Sequence, residues 1–206
     1  ILSAEEDSLI SQIVMSIKTN PTTAQYFEVE NGDEIMYQVP IFFTIEGVEC
    51  KGLLDMIVIN HEHKIIEPID IKTLGDNTLN FPKALKQRRY DIQGAFYTEG
   101  LKQAYPGYTI LPFKFIVEST INPGQPLVYT MDETLLEIGK SGREAFRLKG
   151  ISDSSLLEKY YGVIEPIEGY LQLIEKYKWY MENGFGTNRK IVEASSEFTL
   201  TWNRVI

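Results

Sequence analysis

The sequence predicts an α+β or mixed α/β domain in which a central mixed β-sheet is flanked by helices. Two observations support this: consecutive strand patterns separated by turn signals follow an amphipathic first helix, and further helix and strand patterns then alternate. The chain has 206 residues, 43% of them hydrophobic, which is enough for one domain with an apolar core. We therefore expect residues 1–206 to form a single domain, with a core over about 30–104 and a C-terminal elaboration over about 131–206.

Each predicted element follows from a local pattern. The first helix has apolar residues at helical spacing and acidic residues in its first turn, and the sequence ENGD at 30–33 is a turn signal before the strands. Proline at position 82 favours the first turn of a later helix. In chain order the predicted elements are helix 5–18, strands 34–45, 48–59 and 64–72, a helix from about Phe81 to Gln103, strands 108–118 and 126–130, helices 132–148 and 165–184, and a last strand 197–202.

Charge and cysteine content exclude several classes of protein. The net charge of −9 argues against a protein that coats nucleic acid by bulk electrostatics, although it allows a local basic track and fits clustered carboxylates that hold cations. The single cysteine, Cys50, excludes an intrachain disulfide, and it excludes a zinc site or iron–sulfur cluster built from several of the chain's own thiolates.

The sequence also carries expectations about location. No apolar run is long enough to span a bilayer, and no secretory signal opens the chain, so we expect a cytoplasmic protein with no membrane partner. The chain begins at Ile1 rather than Met, so we expect that a preceding segment has been removed or is absent.

The stretch EPIDIKT at 67–73 places an acid and a base on an otherwise apolar strand. Asp70 and Lys72 are two residues apart and therefore point to the same face. A second acid, Asp55, lies in the sequence GLLD of the preceding strand. If Glu62 and His63 form the turn, Asp55 pairs across from Asp70, whereas a shift of one residue can place the two acids on opposite faces.

This pair of acids suggests a cation site. Alternation predicts that Asp55 shares its face with Leu53 and Ile57. Two opposed carboxylates, about 4.5–5.5 Å apart at Cβ, repel each other, and Lys72 or a divalent cation relieves the repulsion. Mg²⁺ binds through one or two carboxylates plus water and substrate phosphate oxygens, and a nearby lysine can orient or deprotonate a water. Spacing alone leaves open the alternative of a partly buried salt bridge at a strand end.

The helix after these strands carries a polar face. Within ALKQRRYDIQGAFYTEG at 84–100, Gln93 and Tyr97 are four residues apart and stack on one side of the helix. An amide, aromatic rings and cations on one face can follow a phosphate backbone, and a solvated helix surface is the alternative. The residues that we predict to contact DNA on or next to this face are Lys86, Arg89, Tyr90 and Gln93.

Together, GLLD at 52–55, PIDIKT at 68–73 and YDIQGAFY at 90–97 resemble the PD-(D/E)XK nuclease superfamily, with its restriction-endonuclease-like core. The pattern is similar to the RecB-type branch with a Q-x-x-x-Y motif, and within it to RecE-like and phage-type exonucleases. The resemblance covers roughly residues 30–101. An Asp followed by D-x-K is a weak pattern alone, and the ordered combination with Q-x-x-x-Y is more specific.

The resemblance implies roles for individual residues. Asp55 and Asp70 would bind Mg²⁺ or Mn²⁺, the carbonyl of Ile71 would add a ligand, and Lys72 would position the attacking water. Gln93 and Tyr97 would support the site and the DNA strand.

A glutamate before the first central strand often adds a ligand in such families, and this favours Glu34, with Glu30 as the rival. The sequence departs from the family in having Leu53 where an arginine is frequent. Its first arginine is Arg88, so the residues of any pocket for a terminal phosphate, and with them the strand polarity of cleavage, stay open. The upstream histidine of some relatives has no counterpart, because both histidines lie in the turn.

The implied function is that of a metal-dependent deoxyribonuclease, as an exonuclease in recombination or DNA end-processing of a bacterial or phage-infected cell. DNA is the expected partner, and the resemblance allows for a homo-oligomer and for a single-strand annealing or recombination protein. The alternatives are an endonuclease of restriction or repair type and a non-catalytic nucleic-acid-binding module that retains the fold. The complete set of Asp55, Asp70 and Lys72 argues against the non-catalytic module.

Overall fold

The structure is a computed structural model that describes residues 2–28, 33–144 and 166–184. Helices and strands follow one another along these segments in the predicted order. The elements are α1 Ala4–Thr19, β1 Asp33–Ile45, β2 Val48–Asn60, β3 Ile65–Leu74, α2 Phe81–Arg88, α3 Tyr90–Ala104, β4 Thr109–Ile110, β5 Lys114–Ser119, β6 Leu127–Thr130, α4 Glu133–Ser141 and α5 Tyr170–Asn183, with short 3₁₀ turns at Ala24–Tyr26 and Thr78–Asn80.

The strands form one mixed sheet in the order β1-β2-β3-β5-β6, with the short β4 also beside β3. Strand β2 is antiparallel to both of its neighbours, β1 and β3, whereas β3 runs parallel to β4 and β5, and β6 is antiparallel to β5. Parallel neighbours need a crossover, which α2 and α3 supply between β3 and the strands β4 and β5. This mixed sheet between helices confirms the predicted fold class.

Two hydrophobic clusters cover the two faces of the sheet. The larger joins β1, β2, β3 and β5 to α2, α3 and α5 through residues such as Ile41, Phe81 and Leu101. The smaller packs Ile17 of α1 against Met56 of β2 and Ile69 of β3. Helix α1 and helix α3 therefore lie on opposite faces, and each strand's alternation decides which helix its side chains meet.

The boundaries of several elements differ from the prediction. The single helix expected from Phe81 to about Gln103 is two helices, because Arg89 adopts a left-handed conformation with φ 54° and ψ 46°. The strand expected at 108–118 is interrupted between β4 and β5. The helix expected at 132–148 already ends at Ser141, where Gly142 takes a positive φ of 74°. The strand expected at 197–202 lies outside the described residues. Within the described segments, no helix is both long enough and apolar enough to cross a membrane.

Candidate active site

The candidate site lies where β2 and β3 separate. Their ladder runs from Asn60 opposite Ile65 to Met56 opposite Ile69, which is the register expected when Glu62 and His63 form the turn. Asp55 and Asp70 are the next residues beyond the last pair. From there on β2 pairs only with β1 and β3 only with β5, so the two strands leave an opening between them.

The Asp55 carboxylate lies in this opening. Its Oδ2 accepts a hydrogen bond from the backbone N–H of Ile71 at 3.0 Å, and its Oδ1 accepts one from Nε2 of Gln38 at 3.2 Å. A side chain thus replaces the strand-to-strand bond that is missing here. Leu53, expected to share a face with Asp55, is 51% exposed, and it is Leu54 that belongs to the larger core cluster.

Asp70 is buried in the floor of the opening, with 3% of its surface exposed. Its Oδ1 accepts a hydrogen bond from Nε2 of Gln93 at 2.7 Å. Burial raises the pKa of Asp70 above its ordinary value; the neighbouring Lys72 ammonium opposes this, and the charge of Asp55 adds to it. The site therefore holds a carboxyl group whose ionised form the protein surroundings stabilise only in part.

Lys72 is fixed between the acid and an aromatic ring. Its Nζ lies 2.6 Å from Oδ2 of Asp70 as an ion pair and 4.5 Å from the centroid of the Tyr90 ring. The Tyr90 ring stacks on Phe81 at 5.9 Å between centroids, and its hydroxyl accepts a hydrogen bond from Nη1 of Arg88 at 3.1 Å. Tyr90, predicted as a DNA contact, thus packs its ring against the Lys72 ammonium group.

Helix α3 contacts both separated strands through the Q-x-x-x-Y pair. Gln93 holds Asp70 of β3, as described above. One turn later Tyr97 packs on Gly52 of β2, where a Cβ atom would lie only 2.8 Å from Cε1 of the ring. The glycine therefore lets the helix approach β2 closely, three residues before Asp55.

Glu34 is not brought to this site. It pairs with Ile59 across β1 and β2, four residues along the strand from Gln38, or about 13 Å at ~3.3 Å per residue. Its carboxylate lies 2.9 Å from Nε2 of His61 in the β2–β3 turn. The expectation that Glu34 adds a ligand to this site does not agree with this placement. Its rival, Glu30, lies outside the described residues.

The predicted DNA contacts fall in different environments. Lys86 is exposed on α2. Arg89 instead donates from Nε and Nη2 to the carboxylate of Asp91 at 3.0 and 2.8 Å, and from Nη2 to the carbonyl of Glu168 at 2.6 Å. Arg89 therefore stabilises the junction between α2 and α3. Arg88 instead donates to the hydroxyl of Tyr90, whose ring contacts Lys72.

Sequence reasoning missed Gln38, which bonds Asp55 directly. The only signal in the sequence is a polar residue inside an apolar strand, and many exposed strand positions look the same. The link appears only once β1 and β2 are aligned, because the two residues are 17 positions apart.

The oxygen atoms at the opening fit a hard divalent cation. Oδ2 of Asp70 is buried and receives no hydrogen bond of normal geometry, although Lys72 is its charge partner. The carbonyl groups of Ile66 and Leu74 accept bonds from the β4 and β5 side of β3. Since strand residues alternate in direction, the carbonyl of Ile71 points to the β2 side, as its N–H does.

The donor set is limited to these groups. Among the described residues, no cluster of three or more His, Cys, Asp and Glu side chains could hold an ion. The residues that would hold Mg²⁺ or Mn²⁺ are therefore Asp55 and Asp70, with the carbonyl of Ile71. Mg²⁺ suits such a set because it usually keeps several waters and takes only one or two protein carboxylates.

The chain was also compared with known proteins. The chain is similar to the crystal structure of a predicted exonuclease from Eubacterium rectale, at 18% identity and a TM-score of 0.49, over 65% of this chain and 48% of that protein. It is also similar to the crystal structure of SSO0001, at 15% identity and a TM-score of 0.33, over 65% of this chain and 58% of that one. The chain thus spans about half the length of the first of these proteins.

No curated protein matches the chain in sequence. A family model does match: that of the PDDEXK-like domain of unknown function (DUF3799), over residues 2–146. This match covers well over half of the 206 residues and includes every element from α1 to α4. The chain therefore belongs to the family of PDDEXK-like domains designated DUF3799.

Proposed function

We propose that this chain is a metal-dependent deoxyribonuclease that hydrolyses DNA phosphodiester bonds as an exonuclease in recombination or end-processing. The observation that carries the proposal is the convergence of two carboxylates and one ammonium group in the opening between β2 and β3. A salt bridge needs only one acid and one base. The second acid raises the pKa of the first, which is unfavourable for a purely structural pair.

Each residue has a defined task in this proposal. Asp55 and Asp70, with the carbonyl of Ile71, would hold Mg²⁺ or Mn²⁺, which when bound neutralises charge that develops on the phosphate. Gln93 donates to Oδ1 of Asp70, which leaves Oδ2 without a hydrogen bond of normal geometry. Lys72 lies beside that oxygen and would orient the attacking water and share its proton.

The test is digestion of end-labelled linear duplex DNA with Mg²⁺, with Mn²⁺ and with a chelator. We expect cleavage only with a divalent ion, and a loss of roughly 100-fold or more for Lys72→Ala and for Asp70→Ala. Lys64→Ala, which removes a lysine in the turn between β2 and β3, is the matched control and should cleave like the parent. Asp70→Ala digesting DNA as fast as the parent would show that the site is elsewhere.

The exonuclease part of the proposal has its own test. An enzyme that requires a DNA end leaves covalently closed circular duplex intact and degrades the same molecule after linearisation. Cleavage of the closed circle at a comparable rate would instead identify an endonuclease of restriction or repair type. A homo-oligomer and a single-strand annealing or recombination partner stay predictions.

A further inference from the structure

Gln38 has a backbone conformation that is unusual inside a strand. Its φ is +50°, in the left-handed region that residues other than glycine seldom occupy. The β1–β2 ladder pairs Tyr37 with Met56 and Val39 with Leu54, but Gln38 and Asp55 between them form no pair. The ladder is therefore interrupted at the one position that carries a candidate metal ligand.

Side-chain alternation reverses on β1 at this interruption. After Gln38, the odd-numbered residues Val39 and Ile41 belong to the larger cluster beneath α3. Before it, Met36 packs against that larger cluster, whereas Ile35 packs against the α1 cluster. Two residues thus lie between Met36 and Val39, which both contact the larger cluster, whereas strict alternation would place only one residue between them.

The same reversal occurs on β2 at Asp55. Leu54 and Ile57 both belong to the larger cluster, and Met56 belongs to the α1 cluster. Neither strand gains a residue relative to the other, so the register continues unchanged past the break. The reversal lets Asp55 enter the opening toward Ile71.

We propose that Gln38 is a positioning residue that sets the Asp55 carboxylate for a divalent cation; this inference rests on the proposed function. Gln38 Nε2 donates to Oδ1 at 3.2 Å and Ile71 N–H donates to Oδ2 at 3.0 Å. Two donors on two oxygens fix both the position and the plane of the carboxylate. Each oxygen keeps a lone pair for an ion, and a partner that orients a ligand in this way strengthens metal binding.

The test separates backbone strain from the amide. Gln38→Ala keeps the left-handed position and removes the amide, whereas Gln38→Gly removes both the amide and the strain. Lys64→Gly is the matched control, because Lys64 has φ +53° in the β2–β3 turn, away from Asp55. Mn²⁺ binding is measured without DNA, from the electron paramagnetic resonance signal of the free ion, beside thermal unfolding and the Mn²⁺ dependence of cleavage.

We expect both Gln38 variants to bind Mn²⁺ about tenfold more weakly than the parent, with cleavage partly recovered at high Mn²⁺. Gln38→Gly should unfold at the same or a higher temperature than the parent, so that stability and metal affinity separate. Lys64→Gly should bind Mn²⁺ like the parent.

Two results would overturn the inference in distinguishable ways. If the parent binds Mn²⁺ and cleaves DNA while Gln38→Gly keeps the parent's Mn²⁺ affinity, the inference fails and the proposed function stands. If the parent neither binds the ion nor cleaves DNA, the proposed function fails and the inference fails with it.

Discussion

At the scale of single residues, the surroundings of Asp70 in β3 favour its ionised form only in part. Burial alone would favour the neutral carboxyl group, and Lys72 and Gln93 only partly compensate. Without a cation, the ionised carboxylate of Asp70 is therefore less stable in the folded protein than in the unfolded chain at neutral pH. Burial of an ionisable group with a perturbed pKa is common at sites where that group takes part in a reaction.

The variant Asp70→Asn should make the metal-free protein more stable at neutral pH. Because the folded pKa of Asp70 is raised, the folded state keeps a proton that the unfolded state releases, and stability falls as pH rises through that interval. The asparagine oxygen can still accept the bond from Gln93. Thermal unfolding in chelator measures the difference, which should shrink toward about pH 4, where aspartate protonates in both states.

A parent protein more heat-stable than Asp70→Asn at neutral pH in chelator would contradict this account. It would mean that the ion pair with Lys72 outweighs the cost of burial. Cleavage by Asp70→Asn should be lost in either case, since the amide is a poor ligand and carries no charge.

At the scale of elements, α3 lies close to both strands of the site, with Gln93 bonded to Asp70 and Tyr97 packed on Gly52. Gly52→Ala should lower the free energy of unfolding by about 1–3 kcal/mol, because the new methyl group meets the Tyr97 ring and the Ile41 side chain. Denaturant unfolding measures this. Gly75→Ala is the control: its nearest neighbour would be 4.0 Å away, so it should change stability little.

Two basic residues near the junction of α2 and α3, Arg89 and Lys86, should differ in their roles. Arg89→Ala should cost about 1.5–3 kcal/mol of stability, since its hydrogen bonds to Asp91 and Glu168 are lost, while DNA binding keeps its salt dependence. Lys86→Ala should leave stability unchanged and reduce the slope of log affinity against log salt by about one. Fluorescence anisotropy of labelled DNA at several salt concentrations distinguishes them; a reduced slope for Arg89→Ala would place Arg89 on the DNA instead.

The sequence predicted the elements whose pattern is local and missed those set by contacts between distant residues. The sequence left the register of β2 and β3 open, and the structure has the register in which Glu62 and His63 form the turn. Pro68 is tolerated in β3 because it falls between the segments paired with β4 and β5. The left-handed conformations of Gln38 and Arg89 have no local signature. Glu34 matched the family pattern of a glutamate before the first central strand, but the register of β1 and β2 places it away from Asp55.

At the scale of the whole molecule, the net charge of −9 means that the proposed nuclease would have to hold DNA through a local basic surface and through cations between acids and phosphate. Binding of a cation to the folded state alone stabilises the entire fold. The folded protein should gain about 2.7 kcal/mol when the ion is at 100 times its dissociation constant.

For a domain of this size, that gain corresponds to a rise of roughly 5–11 °C in Tm. Thermal unfolding of the parent and of Asp70→Ala across a Mn²⁺ series measures it. The rise should be present in the parent and absent in Asp70→Ala. An equal rise in both proteins would locate the ion elsewhere.

Strand β1 lies at the rim of the sheet in the part of the chain that the structure describes, and strands at a rim invite foreign strands to add on. Here Pro40 lacks an amide hydrogen, and Gln38 turns the backbone two residues earlier. An added strand could not form regular backbone hydrogen bonds at either of these two residues. The irregularity beside Asp55 therefore also disfavours the addition of a foreign strand along this edge of the sheet.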